Sequence, residues 1–240
     1  MNVVLIYARL YLDCLRRALA GVAKSPWTLL LPVALFLAFY LAAILASQLG
    51  ILAGIVLGLV LAALCSCYLY FVGEVVANSK VQLSEFRKSF GAYFWSVANV
   101  LFVYWLVSLV LGQLLSHSPQ ARAAEVALRL VALVLLNAVP EVIYQRHTYG
   151  GLATIQRAVQ FLQGNWLEWG VPNLGLLALL WLVLNNGQVF IGGFGIGGLL
   201  LWSVAFGSLL HMVMVFRGHL FDALDGSSHR QRMFRYRTAA

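Results

Sequence analysis

Two stretches of this chain, 25–73 and 169–216, contain no Asp, Glu, Lys or Arg. Each is long enough for two helices of ~20 residues, the length that crosses a bilayer's hydrocarbon core. A backbone in lipid must satisfy its own hydrogen bonds, so such runs are expected as helices rather than open strands. The composition agrees: of the 240 residues 62% are hydrophobic and 10% charged, whereas a soluble domain is roughly half apolar and a quarter charged. The expectation is an all-α polytopic membrane protein: a single integral domain of six transmembrane helices with amphipathic helices at the cytoplasmic surface.

The spans are placed at about 27–46, 50–72, 93–115, 126–144, 169–184 and 195–216. Surface helices are expected at about 3–24, 80–91 and 152–164, and a polar basic tail over 217–240. In the first surface helix Ala8, Tyr11, Leu15, Ala18 or Leu19, and Val22 are assigned to the apolar face, with Arg9, Asp13, Arg16, Arg17 and Lys24 opposite. Pro26 disfavours helix at Ser25, so a bend belongs there. The second helix sets Leu83, Phe86 and Phe90 against Gln82, Glu85, Lys88 and Ser89. The third sets Ile155, Ala158, Val159 and Leu162 against Gln156, Arg157, Gln160 and Gln163. Trp27, Trp95 and Trp166 stand where a surface helix hands over to a span, at headgroup depth. Asn185, Asn186 and Gln188 are expected to form the turn after span five, and the glycine-rich FIGGFGIGG to open span six. The first run is too long for the apolar core of a signal peptide and is expected to be a retained span.

The net charge of +8 would suggest nucleic acid in a soluble protein, but no nucleic-acid motif is present and no such partner is expected. The basic residues flank the spans instead. With the N-terminus inside, the inner segments hold Arg9, Arg16, Arg17, Lys24, Lys80, Arg87, Lys88, Arg146, Arg157, Arg217, Arg230, Arg232, Arg235 and Arg237; the outer ones hold Arg122 and Arg129. This positive-inside bias puts both termini in the cytoplasm. Arg16, Arg17, Lys24, Arg87, Lys88 and Arg157 are then candidate contacts for anionic lipid headgroups, each contributing ~1 kcal/mol.

Gly50, Gly54, Gly58, Ala62 and Ser66 recur every four residues along span two. Small residues at that spacing admit a closely packed helix from this chain, a second copy or a protein partner. Gly193 and Gly197 repeat the motif in span six. The order of surface helix, Trp and hairpin occurs three times, which reads as three tandem helix-hairpin repeats. Arg17 to Pro32 and Arg157 to Pro172 show the same spacing.

The stretch PEVIYQRHTYGGLATIQRAVQFLQGNWLEW, with Ala158, Gly164, Asn165 and Trp166, resembles bacterial six-span proteins. These are the YciC-like proteins and the membrane domain fused to some glycerophosphoryl diester phosphodiesterases. Gly73-Glu74, Leu83-Ser84-Glu85-Phe86 and Ser89-Phe90 add to the likeness. The resemblance implies an integral membrane domain. The hydrolytic domain of those fusions has no counterpart in these residues, so its activity is not carried over.

Ionisable and amide groups at membrane depth are costly and mark candidate sites. Asn137, Glu141 and His211 form the candidate intramembrane polar set. Glu141 follows Pro140 and precedes Arg146 and His147. It reads either as a proton or cation site at the inner mouth or as a carboxylate tying span four to the next surface helix. His211 reads as a haem or metal ligand or as a hydrogen-bonded packing residue. No catalytic residue, metal or cofactor is expected: the zinc motif H-E-x-x-H, the phosphate loop and the G-x-S-x-G elbow are all missing. Asp13, Asp222 and Asp225 are the only aspartates, too few for a Mg²⁺-dependent lipid transferase. Cys14, Cys65 and Cys67 read as packing residues. The functional expectation is a non-enzymatic scaffold or accessory subunit of a membrane complex. The alternative is a lipid or small-solute transport component, such as an exporter permease subunit.

Overall fold

The computed structural model describes residues 3–78, 81–115, 121–148, 150–227 and 231. The expectations for Lys80, for the loop 116–120 and for Arg230, Arg232, Arg235 and Arg237 lie outside the described residues. The order is α1 (Val3–Lys24), α2 (Leu31–Ala46), α3 (Ala53–Asn78), α4 (Phe86–Ala92), α5 (Phe94–Leu115), α6 (Ala121–Leu135), α7 (Val139–Arg146) and α8 (Gly151–Leu224), with 3-10 turns at Pro26–Leu30, Ser47–Leu52 and Leu83–Glu85. There is no strand among the described residues. The protein is an all-α, multi-pass membrane protein: six helical stretches are long and apolar enough to cross a bilayer, Pro26–Gly50, Ala53–Ala77, Phe94–Leu114, Glu125–Arg146, Gly151–Gly187 and Gly193–Leu224.

α8 is three limbs rather than one rod. Its backbone leaves helical geometry at Asn165 (φ −137°, ψ 25°) and Gly195 (φ 56°, ψ −136°). The first break separates the limb over residues 151–164 from span five. The second is the hairpin turn between spans five and six, and it falls ten residues beyond the expected one at Asn185. Asn186 stays within the helix, and its Nδ2 donates to the Leu182 carbonyl one turn back, at 2.7 Å. The turn waits for Gly195, which takes a positive φ at little cost. Pro172 sits inside span five without breaking it.

Other boundaries move for similar reasons. α3 continues to Asn78 rather than ending at 72, because Phe71, Val72 and Val75 are fully buried and hold its last turns. α8 runs eight residues past Phe216, since Leu220, Phe221 and Leu224 are buried, so the expected tail begins as packed helix. Span four is discontinuous: α6 ends at Leu135, residues 136–138 turn, and α7 restarts with Pro140 in its first turn, where no amide donor is needed.

The chain divides into two compact units, one of Met1–Ala38, Phe71–Leu83 and Asn165–Ala240, the other of Phe39–Tyr70 and Ser84–Gly164. In the first, the core is Leu10, Cys14 and Ala18 of α1 with Phe71, Val72, Val75, Trp169, Val215 and Phe221. Trp27 meets Phe71 edge-on at 5.4 Å, and Trp169 meets Phe221 in the same way at 6.1 Å. In the second, Ala62, Ser66, Cys67, Ser89, Thr154, Ala158, Phe161 and the run Ala138–Val139, Glu141–Tyr144 are buried. Both cores gather where surface helices meet span ends. The spans themselves bury only between 11% and 33% of their apolar windows.

The surface helices bury part of the faces assigned from hydropathy: Ala18, Val22 and Ala158 are buried as assigned, and Gln156, Arg157, Gln160 and Gln163 are exposed. α1 buries Ile6, Leu10, Cys14, Ala18 and Val22, while Ala8, Leu15 and Leu19 are exposed. Leu5, Ala8, Leu12, Leu15 and Leu19 form a second apolar stripe that faces out, beside the exposed Arg16, Arg17 and Lys24. α4 buries Ser89, which was assigned to the polar face, and leaves Phe86 exposed. The first limb of α8 buries Thr154, Ala158 and Phe161, with Ile155, Val159 and Leu162 only half-buried.

Candidate functional site

The intramembrane polar set is divided between the two compact units. Asn137 and Glu141 lie in one compact unit and His211 in the other. Glu141 is fully enclosed within α7, whose Val139, Val142, Ile143 and Tyr144 are buried with it. Asn137 lies in the turn just before α7 and is half-buried. Arg146 and His147, proposed neighbours of the carboxylate, are exposed. His147 caps α7 in the left-handed region (φ 48°, ψ 40°) and stacks on Tyr93 at 5.8 Å. His211 is fully buried in span six. Among the described residues, no group of three His, Cys, Asp or Glu is placed to hold a metal ion.

The small-residue stripe is likewise divided. Gly50 belongs to the hairpin turn, with φ 55°, and not to α3. At Gly54 and Gly58 an added Cβ would meet nothing within 4 Å, and the same holds for Gly193 and Gly197. Ala62 and Ser66 are buried. The close approaches within the chain fall on glycines that periodicity does not single out. A Cβ at Gly151 would stand 2.6 Å from the Asn99 carbonyl oxygen, one at Gly187 2.5 Å from the Trp202 ring, and one at Gly207 2.7 Å from Val33 Cγ2.

Ser66 serves a junction. Its hydroxyl donates to the Ser89 carbonyl at 2.9 Å and accepts the Tyr93 N–H at 2.9 Å, so one buried oxygen ties the end of α4 and the start of α5 to α3. Ser89 donates to the Phe86 carbonyl at 2.6 Å and lies 3.1 Å from Cys67 Sγ. At the bend after α1, the Ser25 Oγ accepts the Val81 N–H at 3.0 Å. Between α7 and α8, the Thr148 carbonyl accepts from Ser96 at 3.2 Å, and the Thr148 and Thr154 hydroxyls lie 2.9 Å apart. Backbone groups that a helix bend would orphan at the membrane boundary are thus paired by hydroxyls.

The densest charged constellation lies where α1 meets span five. Tyr7 donates to Glu168 Oε1 at 3.1 Å, and Tyr11 donates to the Glu168 carbonyl at 3.1 Å. Burial first, and then the Glu168 charge, pushes the Tyr11 phenol up to about 12, so it stays a donor at neutral pH. The Arg217 guanidinium sits 5.2 Å from the Trp169 ring centre, a cation–π distance. Asn173, nearly buried, donates to the Trp169 carbonyl at 2.7 Å. Sequence reasoning used Glu168 only as the edge of a charge-free run and put Tyr11 on an apolar face. The available signal was the spacing of Tyr7 and Tyr11, four apart on one helix face.

The basic residues proposed for headgroups, Arg16, Arg17, Lys24, Arg87, Lys88 and Arg157, are all exposed. Compared with family models, with curated proteins and with solved structures, the chain finds no match.

Proposed function

We propose that this protein is a non-enzymatic scaffold or accessory subunit of a membrane complex, seated in a bacterial inner membrane with both termini in the cytoplasm. The observation that carries this reading is how little the spans bury against their own chain, between 11% and 33% of each window. Association in lipid comes from packing and small-residue contacts rather than from hydrophobicity. A chain whose spans bury so little of themselves leaves long helical flanks for a protein partner or a second copy. Gly54 and Gly58, open on the same face of α3 beside exposed Ile55 and Leu59, are the proposed seat of that helix. Kinship with the YciC-like six-span proteins is part of the same proposal. So is the contact of Arg16, Arg17, Lys24, Arg87, Lys88 and Arg157 with anionic headgroups.

The test is purification in mild detergent or native nanodiscs, with mass spectrometry of what accompanies the protein. A stoichiometric protein partner or a homo-oligomer, lost in Gly54→Leu/Gly58→Leu, supports the proposal; a monomer that carries nothing overturns it. The second reading, a lipid or small-solute transport component such as an exporter permease subunit, draws on one feature. Span four is discontinuous and encloses Glu141 next to its break, the arrangement that places polar sites inside transporters. Liposome flux that falls in Glu141→Gln supports that reading, and unchanged flux removes the site.

A further inference from the structure

α1 has three faces rather than the two of an ordinary amphipathic helix. One carries Ile6, Leu10, Cys14, Ala18 and Val22, all buried in protein. The outer stripe of Leu5, Ala8, Leu12, Leu15 and Leu19 is exposed along its whole length and is centred roughly 140° round the helix from the buried face. The third face, roughly 100° from that stripe, holds Arg9, Asp13, Arg16, Ala20 and Lys24, exposed or half-buried. A helix packed on a protein in water needs only a buried face and a wet one.

Contacts within one compact unit fix where α1 lies. Tyr7 and Tyr11 hydrogen-bond to Glu168 at the start of span five. Further along, the charge of Asp222 acts on Cys14 and that of Arg17 on His219, both partners in the last turns of α8. α1 therefore crosses the neighbouring ends of one helical hairpin instead of extending a span. Its outer stripe also joins a surface of span five. The groove of about 400 Å³ between them is lined by Ala8 of the stripe and by Leu167 and Val171 of the span. All three are exposed, and the exposed apolar row of the span continues to Leu174. That row belongs to a stretch apolar enough to cross the bilayer, so the stripe beside it stands at the edge of the hydrocarbon.

We propose that α1 lies half-sunk in the membrane interface, its outer stripe dissolved in the phospholipid acyl chains that also cover Leu167, Val171 and Leu174. Arg16 and Lys24 then reach the headgroups from the third face while their stems lie along the boundary. A second copy fits the stripe less well. Helices in lipid pair through small residues, whereas this stripe is leucine apart from Ala8, and its basic flank would meet its own like charge. The inference extends the headgroup contact proposed above, which concerns the charged face, to the apolar one.

The experiment attaches a nitroxide at Leu12→Cys, Leu19→Cys or Ala20→Cys, one at a time, in Cys65→Ala/Cys67→Ala protein, where Cys14 is buried. All three labelled positions are exposed. Each variant is placed in nanodiscs of phosphatidylcholine with and without phosphatidylglycerol. Collisions with oxygen, which concentrates in hydrocarbon, are compared with collisions with a water-soluble nickel chelate. The Leu12 and Leu19 labels are expected to favour oxygen several-fold over the Ala20 label and to lie about 5–10 Å into the headgroup–acyl boundary. Nickel collisions equal at all three positions overturn the proposal, as does spin–spin broadening at Leu12 and Leu19 that reports a second copy on the stripe. Stripe labels that favour oxygen equally in both lipids support the immersion and count against the anionic contact, so the two readings fail separately. Should Cys67→Ala, at a buried position, prevent folding, the same labels in Cys65→Ala protein give the same reading.

Discussion

Ser66→Ala tests whether a single hydroxyl holds the α4–α5 junction. Ser66 is fully buried, and its oxygen is bonded at 2.9 Å both to the Ser89 carbonyl and to the Tyr93 N–H. Alanine keeps the volume nearly constant and leaves both backbone groups without that partner. Each orphaned buried group costs about 1–3 kcal/mol. Tyr93 is half-buried, so its amide recovers part of the loss, and alanine returns about 0.5 kcal/mol of helix propensity. The net expectation is a loss of about 2–3 kcal/mol, a roughly 30- to 150-fold rise in the unfolding equilibrium constant. Denaturation of the micelle-bound protein by graded SDS, followed by far-UV circular dichroism, reads this directly. The matched comparison is Ser203→Ala, whose hydroxyl only bonds back to the Leu199 carbonyl of its own helix at 2.7 Å and which should shift stability by less than about 0.5 kcal/mol. If both variants unfold at the same SDS fraction, the junction is held by packing and the hydroxyl argument is wrong.

Other perturbations follow from the same coordinates. Gly151→Ala drives a Cβ to within 2.6 Å of the Asn99 carbonyl oxygen, which is backbone, and should cost about 1–3 kcal/mol, whereas Gly164→Ala opens onto free space and should be neutral or stabilising by up to about 1 kcal/mol in the same titration. Gly195→Ala forces a side chain to φ +56° at about 1–2 kcal/mol, while Gly197→Ala, with nothing near its Cβ, should be silent. Burial, with Asp13 and Asp222 adding and Arg17 opposing, pushes the Cys14 thiol up from 9.0 to about 12. A raised pKa means the neutral thiol's contribution is fully present below pH 9 and is lost as pH climbs towards 12. In a Cys65→Ala/Cys67→Ala background, intact-mass analysis should therefore find Cys14 unmodified by maleimide at pH 8, and quantitative labelling there would refute its burial.

Spans were readable because crossing a bilayer imposes a length and an apolar composition that few other structures need. Helix ends inside the packed region were less readable. Phe71–Val75 and Leu220–Leu224 extend their helices through burial that a local window cannot register. Which apolar face of a surface helix packs against protein was only partly readable for a related reason. α1 has two apolar stripes, Ile6–Leu10–Cys14–Ala18–Val22 and Leu5–Ala8–Leu12–Leu15–Leu19, and one is buried while the other is exposed. Hydropathy scores both alike, since lipid and protein interior are equally apolar solvents. Close packing at glycine within the chain was equally hard to read: spacing singles out Gly54 and Gly58, which face open space, and not Gly151 and Gly207, whose neighbours come from distant chain segments.

Three passages from a helix into a span share one backbone angle. Each passage from a surface helix into a span pivots on one residue of nearly the same φ: Ser25 at −139°, Tyr93 at −123° and Asn165 at −137°. A tryptophan follows within two residues each time, Trp27, Trp95 and Trp166. The first and third hairpins also turn on glycines of matching geometry, Gly50 at φ 55°, ψ −125° and Gly195 at φ 56°, ψ −136°. The partners that stabilise these pivots differ, however. Ser25 takes the Val81 amide, and Tyr93 gives its own amide to Ser66. Repeated geometry is therefore held by unrepeated chemistry. A bend at the membrane boundary needs its freed backbone groups paired, but any hydroxyl from any neighbouring segment will serve.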